Sequence, residues 1–136
     1  ARNRRFDGLN YYIDKISQSI FDGKLIFAGS QSDDYFNYMA IGNGLLLLSR
    51  EESFSLVTIE AAYLGIPTVG FNVGIAKLFI KEGMGEIVEE GDLAGLKRSM
   101  NKCEHQHFEK SFLRSQALEF GIENQVLKFQ KLLDSI

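Results

Sequence analysis

Among 136 residues there is one proline, one cysteine and no tryptophan. The lone Cys103 excludes a disulfide framework and a cysteine-built metal site, and it is the usage expected of a reducing compartment. No apolar run approaches the roughly 20 residues that a membrane-spanning helix requires. No signal-peptide pattern opens the chain, so a cytoplasmic setting is the expectation. Positive charge is not in excess: 15 Lys and Arg against 18 Asp and Glu give a formal charge of −3. That excludes a broad basic face for nucleic acid. What is present is an ordinary globular composition, 45% hydrophobic and 24% charged, which excludes disorder. The length suits one domain with one sizeable core. With 11 Phe and 5 Tyr, that core is rich in Phe, Leu and Ile.

No repeat or low-complexity tract interrupts the chain, so it reads as a single unit. Leu9, Tyr12, Ile13, Ile16 and Ile20 recur at helical spacing and predict a helix near 8–21, stopped by Gly23. Residues 24–28 are a short apolar run closed by Gly29, hence a buried strand. Ser32, Asp33 and Asp34 offer caps for a short helix through Tyr38 and Ala40. Leu45–Leu48 is apolar without alternation, the pattern of a strand covered on both faces, as in parallel sheets. A polar loop, Ser49 to Ser53, leads into a helix over 55–64, which Gly65-Ile66-Pro67 ends. Strands follow at 68–71 and 86–89, with a helix over 75–82 between them. Asp92 caps a helix with Leu93, Leu96 and Met100 on its inner face. The tail from 105 is helical, broken by Gly121, with Val126, Phe129, Leu133 and Ile136 forming its last apolar stripe.

Strand–helix alternation of this kind predicts an α/β fold: a Rossmann-like open parallel sheet flanked by helices, with a helical carboxyl-terminal tail. Right-handed crossovers bring the carboxyl ends of all strands to one edge, where such folds bind ligands.

The residues with chemical promise lie just after a strand. In Ser49-Arg-Glu-Glu52-Ser-Phe-Ser-Leu-Val-Thr-Ile-Glu60-Ala-Ala-Tyr-Leu-Gly65-Ile-Pro67, a polar loop delivers a helix N-terminus. The amides near Phe54, Ser55 and Leu56 have no partner within the helix, and small serines at 53 and 55 permit close approach. Such an end suits a phosphate or diphosphate. Glu60 stands one turn further in, on the face of Leu56, where it can accept two hydrogen bonds from a vicinal diol such as a ribose. Glu52 precedes the helix, on the far side of the phosphates. Taken alone, two such acids read more simply as a cap and a solvated helix residue. The wider pattern favours a nucleotide-sugar.

That pattern resembles the donor-site signature of the retaining glycosyltransferases of GT-B fold, the "group 1" family. The matching residues are Ser49, Glu52, Ser53-Phe54-Ser55-Leu56, Glu60-Ala61 and Gly65-Ile66-Pro67, with Leu48 where proline is usual and serines where glycine is common. Val73-Gly74-Ile75 is similar to the family's glycine turn after the next strand, although Lys77 and Leu78 occupy the region of its usual Glu. Gly85-Glu-Ile-Val88 and Glu90-Gly91-Asp92-Leu93 resemble the end of the donor domain. Near the start, Arg2 matches the family's diphosphate-holding Arg. Asp7 stands where its Lys belongs, with Arg4 and Arg5 as alternative sources of charge. The strand that usually precedes this Arg is missing, and the stretch between Gly29 and Leu45 is about one strand–helix unit short of the family pattern.

The resemblance implies one nucleotide-sugar-binding domain over 1–136, without the acceptor-binding half. It implies transfer of a sugar from a nucleotide-diphosphate donor to a glycan or lipid-linked acceptor hydroxyl, in surface polysaccharide or lipopolysaccharide synthesis. Glu52 is then the catalytic residue, and Arg2, Ser53, Phe54, Ser55, Leu56 and Glu60 bind the donor. No metal, other cofactor or nucleic acid is called for, and this half alone is inactive. The complete enzyme is cytoplasmic, with peripheral attachment at the inner membrane face as a variant. The alternative is a non-catalytic α/β nucleotide-binding module, either a degenerate glycosyltransferase or a receiver-like domain. A receiver fits poorly, because no Asp follows Leu45–Leu48. His105 and His107 point about 200° apart on a helix and so share no metal. Asp33-Asp34 reads as a cap, Gly42-Asn43-Gly44 as a turn, and Cys103 as an inert thiol.

Overall fold

A computed structural model describes residues 30–32 and 34–135. Residues 34–136 form one compact unit. The helix expected over 8–21, the strand at 24–28, and Arg2, Arg4, Arg5 and Asp7 lie outside the described residues. The elements are α1 (Tyr35–Ala40), β1 (Leu45–Leu47), α2 (Leu56–Tyr63), β2 (Thr68–Phe71), α3 (Ala76–Phe79), β3 (Gly85–Val88), α4 (Leu93–His105), α5 (Lys110–Leu118) and α6 (Ile122–Leu133).

The three strands pair in the order β1-β2-β3, all parallel. Leu46 lies beside Val69, and Val69 beside Glu86. The chain is therefore α/β with a Rossmann-like open sheet, as expected. All four residues of central β2 are buried, which is why it reads as a run without alternation. β1 departs from expectation. Its apolar run is not covered on both faces, because Leu46 is 42% exposed. Leu46 shares a face with Val69 and Glu86, the face of α4, but α4 packs mainly on β2 and β3 and leaves β1 at its margin.

Two clusters make up the core. One lies on the sheet and contains Leu47, Val69, Phe71, Val73, Ala76 and Leu96. The other fills the space between α2, α3 and α5 with Ala62, Phe79, Met84, Leu113 and Ala117. α2 packs on β1 and β2 and also on α5. Its buried Ala61 and Ala62 are small enough to let both neighbours come close.

α4 shows a stripe shifted by one notch. Its buried residues are Gly95, Leu96 and Ser99, while Leu93 and Met100 face outward. Polar contacts set that rotation: Ser99 Oγ donates to Glu86 Oε2 (3.4 Å) and Lys102 Nζ donates to Glu86 Oε1. A buried serine inside a helix stripe cannot be read from apolar spacing. α3 ends sooner than 82, because Ile80 is already extended (φ −76°, ψ 111°) where the chain must turn into β3. Asp34 holds the N-cap position of α1, yet no helix amide bonds to its side chain; it accepts from Asn37 Nδ2 instead (3.2 Å). The break at Gly121 is where expected, but no described residue of α6 is buried, and Val126, Phe129 and Leu133 lie open.

Asp92 caps α4 as the sequence predicts, its Oδ1 accepting from Gly95 N at 2.8 Å. Asp92→Ala should therefore lower stability by about 1 kcal/mol in denaturant unfolding, with Asp92→Asn close to wild type.

Candidate functional site

The carboxyl ends of the three parallel strands open on one edge of the sheet, and the β1–α2 loop lies there. The loop is fixed at both ends. On the β1 side, Ser49 Oγ donates to Glu52 Oε1 at 2.7 Å, which holds that carboxylate over its own loop. On the α2 side, Ser55 takes a left-handed backbone (φ 74°, ψ 63°). It is the only non-glycine residue with positive φ among those described. A side chain in that region costs about 1 kcal/mol, and this explains why glycine is common at the position. Part of the strain is offset, because the buried Ser55 hydroxyl pairs with Thr58 Oγ1 at 3.0 Å.

The turn after β2 holds the loop from below. Ile75 N donates to Phe54 O at 2.9 Å. Gly74 sits so close that an added Cβ would lie 2.8 Å from Phe54 O and 3.0 Å from Glu52 Cβ. The glycine turn read at Val73–Ile75 is thus the seat of the Glu52–Phe54 loop, with Gly74 at φ 53° allowing both the turn and the approach. Asn72 and Glu89, at the ends of β2 and β3, meet on the same edge (3.4 Å), and Lys77 approaches Glu89 at 3.7 Å.

The start of α2 is left open. Thr58 N reaches Ser55 O (3.2 Å), but the amides of Leu56 and Val57 have no acceptor among the described residues. Ser53, Phe54 and Leu56 are exposed around them. Ser55 offers only backbone, since its hydroxyl is engaged. The Phe54 ring leans toward Phe120, with centroids 6.3 Å apart. Glu60 is half-buried in the second turn, and its Oε2 accepts from Tyr35 OH at 3.0 Å. The structure thus brings Glu52, Phe54 and the α2 amides together on one loop and gives Glu60 a partner in α1. Arg2 lies outside the described residues.

Tyr35 carries no motif. It is 25 positions from Glu60, and no spacing rule links the two. Elsewhere, His105 Nδ1 bonds the Asn101 carbonyl at 2.8 Å, a bond within its own helix. Burial, with Glu86 adding to it, pushes the Cys103 thiol up and keeps it protonated, so it is a poor nucleophile.

Residues 8–119 match the family described as glycosyl transferases group 1. The chain belongs to that family. The loop–helix site and its acids fall within the matched span. One relative, the N-acetyl-alpha-D-glucosaminyl L-malate synthase of Bacillus anthracis, is 37% identical over 76 residues. Those residues are 55% of this chain and 20% of that protein, so the match spans a fifth of the relative's length.

In this member of the group 1 family, the strain at Ser55 is open to direct measurement. Ser55→Ala keeps the left-handed backbone and strips the buried Thr58 hydroxyl of its partner, a loss of about 1 kcal/mol. Ser55→Gly loses the same bond but releases about 1 kcal/mol of strain. The glycine variant should therefore unfold at higher denaturant than the alanine variant. The reverse order would contradict a left-handed Ser55.

Proposed function

We propose that this chain is the donor-binding half of a retaining glycosyltransferase that takes its sugar from a nucleotide-diphosphate donor. One observation carries the reading. The open amides of Leu56 and Val57 stand at the carboxyl edge of a parallel sheet, with Glu52 before them and Glu60 one turn behind. The amides and the positive end of α2 receive the diphosphate. By the family resemblance Arg2 adds positive charge, and Arg4 or Arg5 takes the place of the lysine missing at Asp7. Ser53 and the Phe54 ring line the approach. Glu60 accepts from the ribose hydroxyls, and Glu52 contacts the donor sugar near its reacting carbon.

As the bond from sugar to diphosphate breaks, negative charge grows on the leaving phosphate beside fixed donors; the acceptor oxygen bonds the sugar carbon and its proton passes to the departing diphosphate. Preorganised donors at such a position are worth about 10²–10³ in rate. Neither a metal nor a nucleophile from this half enters the scheme. The acceptor is a glycan or lipid-linked hydroxyl in surface polysaccharide or lipopolysaccharide assembly. This half alone binds donor weakly and transfers nothing, because the site is completed by a second domain.

A thermal-shift panel of nucleotide-sugars on the complete protein identifies the donor. UDP-N-acetylglucosamine comes first, since the B. anthracis relative's name contains that sugar. With the donor found, Glu60→Gln should raise its KM about ten-fold, in line with one weakened charge-assisted bond, and leave kcat nearly unchanged. Glu52→Gln should lower kcat by about 100-fold or more. Unchanged donor affinity and rate in Glu60→Gln would overturn the ribose assignment, and nucleotide binding without any sugar transfer by the complete protein would favour a non-catalytic nucleotide-binding module instead.

A further inference from the structure

Tyr35 opens α1, a six-residue helix that buries none of its residues. Its ring touches Phe36 edge-on, with centroids 5.2 Å apart. Its hydroxyl leaves α1 to meet Glu60 Oε2 at 3.0 Å. Phe36 and Glu60 also line a common cavity of about 380 Å³ with Ile59, Tyr63 and Phe120. The Tyr35–Glu60 bond is therefore not a by-product of a packed helix. It joins a surface helix to one acid of the candidate site.

A carboxylate accepts hydrogen bonds from about four directions. A single fixed donor on Oε2 leaves Oε1 free and stops the group from turning. A lysine or arginine in that place would compete for both oxygens and cancel the charge. A phenol does neither. Burial, the bond to Glu60 and the Glu60 charge push the Tyr35 pKa up to about 12, so its proton stays in place at any working pH.

We infer that Tyr35 is a positioning residue: its hydroxyl holds one carboxylate oxygen of Glu60 and presents the other to the vicinal hydroxyls of a ribose. The site is thereby selective for ribonucleotides over nucleotides that lack the diol. This rests on the reading of Glu60 as the ribose acceptor. Without Tyr35 the carboxylate is free to rotate, and each productive contact must first freeze it.

The test is calorimetric titration of the complete protein with UDP, GDP and ADP, each beside its 2′,3′-dideoxy counterpart. The wild type should bind its preferred ribonucleotide more tightly than the dideoxy form. Tyr35→Phe, which keeps the ring and its contact with Phe36, should weaken the ribonucleotide about five-fold. It should leave the dideoxy form unchanged, which also shows that the variant is folded. In a Glu60→Gln background, Tyr35→Phe should have no further effect. Equal weakening of both probes would make Tyr35 merely structural and overturn the inference, as would no weakening of either. If Glu60→Gln keeps the full preference for the diol, or if no nucleoside diphosphate binds the wild type, the reading of Glu60 itself fails and takes this inference with it.

Discussion

The site depends on one backbone angle. At Ser55 the chain leaves the loop and enters α2 through a left-handed residue (φ 74°). A right-handed residue there would carry Phe54 and Glu52 along a different path, and the bond from Ile75 N to Phe54 O could not form. A β-turn residue without a side chain, Gly74, then fits under the loop where any Cβ would collide with Phe54 O. The two conditions are coupled: the left-handed junction sets the loop down, and the missing Cβ leaves room for it. A serine in place of the easier glycine is tolerated because its hydroxyl finds Thr58 inside the structure.

This junction is useful only because of what surrounds it. A parallel sheet delivers every strand in the same sense, so the loops after β1, β2 and β3 share an edge. Central β2 is buried along its whole length and fixes the height of the turn at Asn72–Ile75. α2 is gripped between sheet and α5 through alanines, which leaves little freedom to tilt its N-terminus. Rigid elements thus aim flexible chemistry, and the exposed groups at 53–57 inherit their positions from buried ones.

Much of this was legible in the chain. Strand β2 was predicted at its observed bounds, and α2 to within a residue at each end, because Pro67 and Gly65 punctuate an otherwise apolar stretch. The cap at Asp92 and the break at Gly121 were equally plain. The twenty-odd residues around Glu52 and Glu60 carry the family signature in their spacing alone. What spacing could not show was polar or tertiary in origin. The rotation of α4 follows from Ser99 and Lys102 bonding Glu86, not from its leucines. The exposure of Leu46 follows from where α4 stops across the sheet. The role of Gly74 follows from a contact with a loop some twenty residues away in the chain.

The partner chosen for Glu60 bears on what the site can bind. An acid at the second turn of a helix feels little of the helix dipole, which is felt mainly within the first turn. On the proposed reading it stands one turn behind the amides that receive a diphosphate with its two or more negative charges. A cation in that place would compete for its oxygens and offset its charge, and leaving it unheld would let it swing toward solvent, away from those charges. A hydroxyl donor resolves the conflict. It fixes direction without lowering charge, and a sugar diol, itself a neutral pair of donors, is the ligand that such a fixed, still-charged carboxylate fits best.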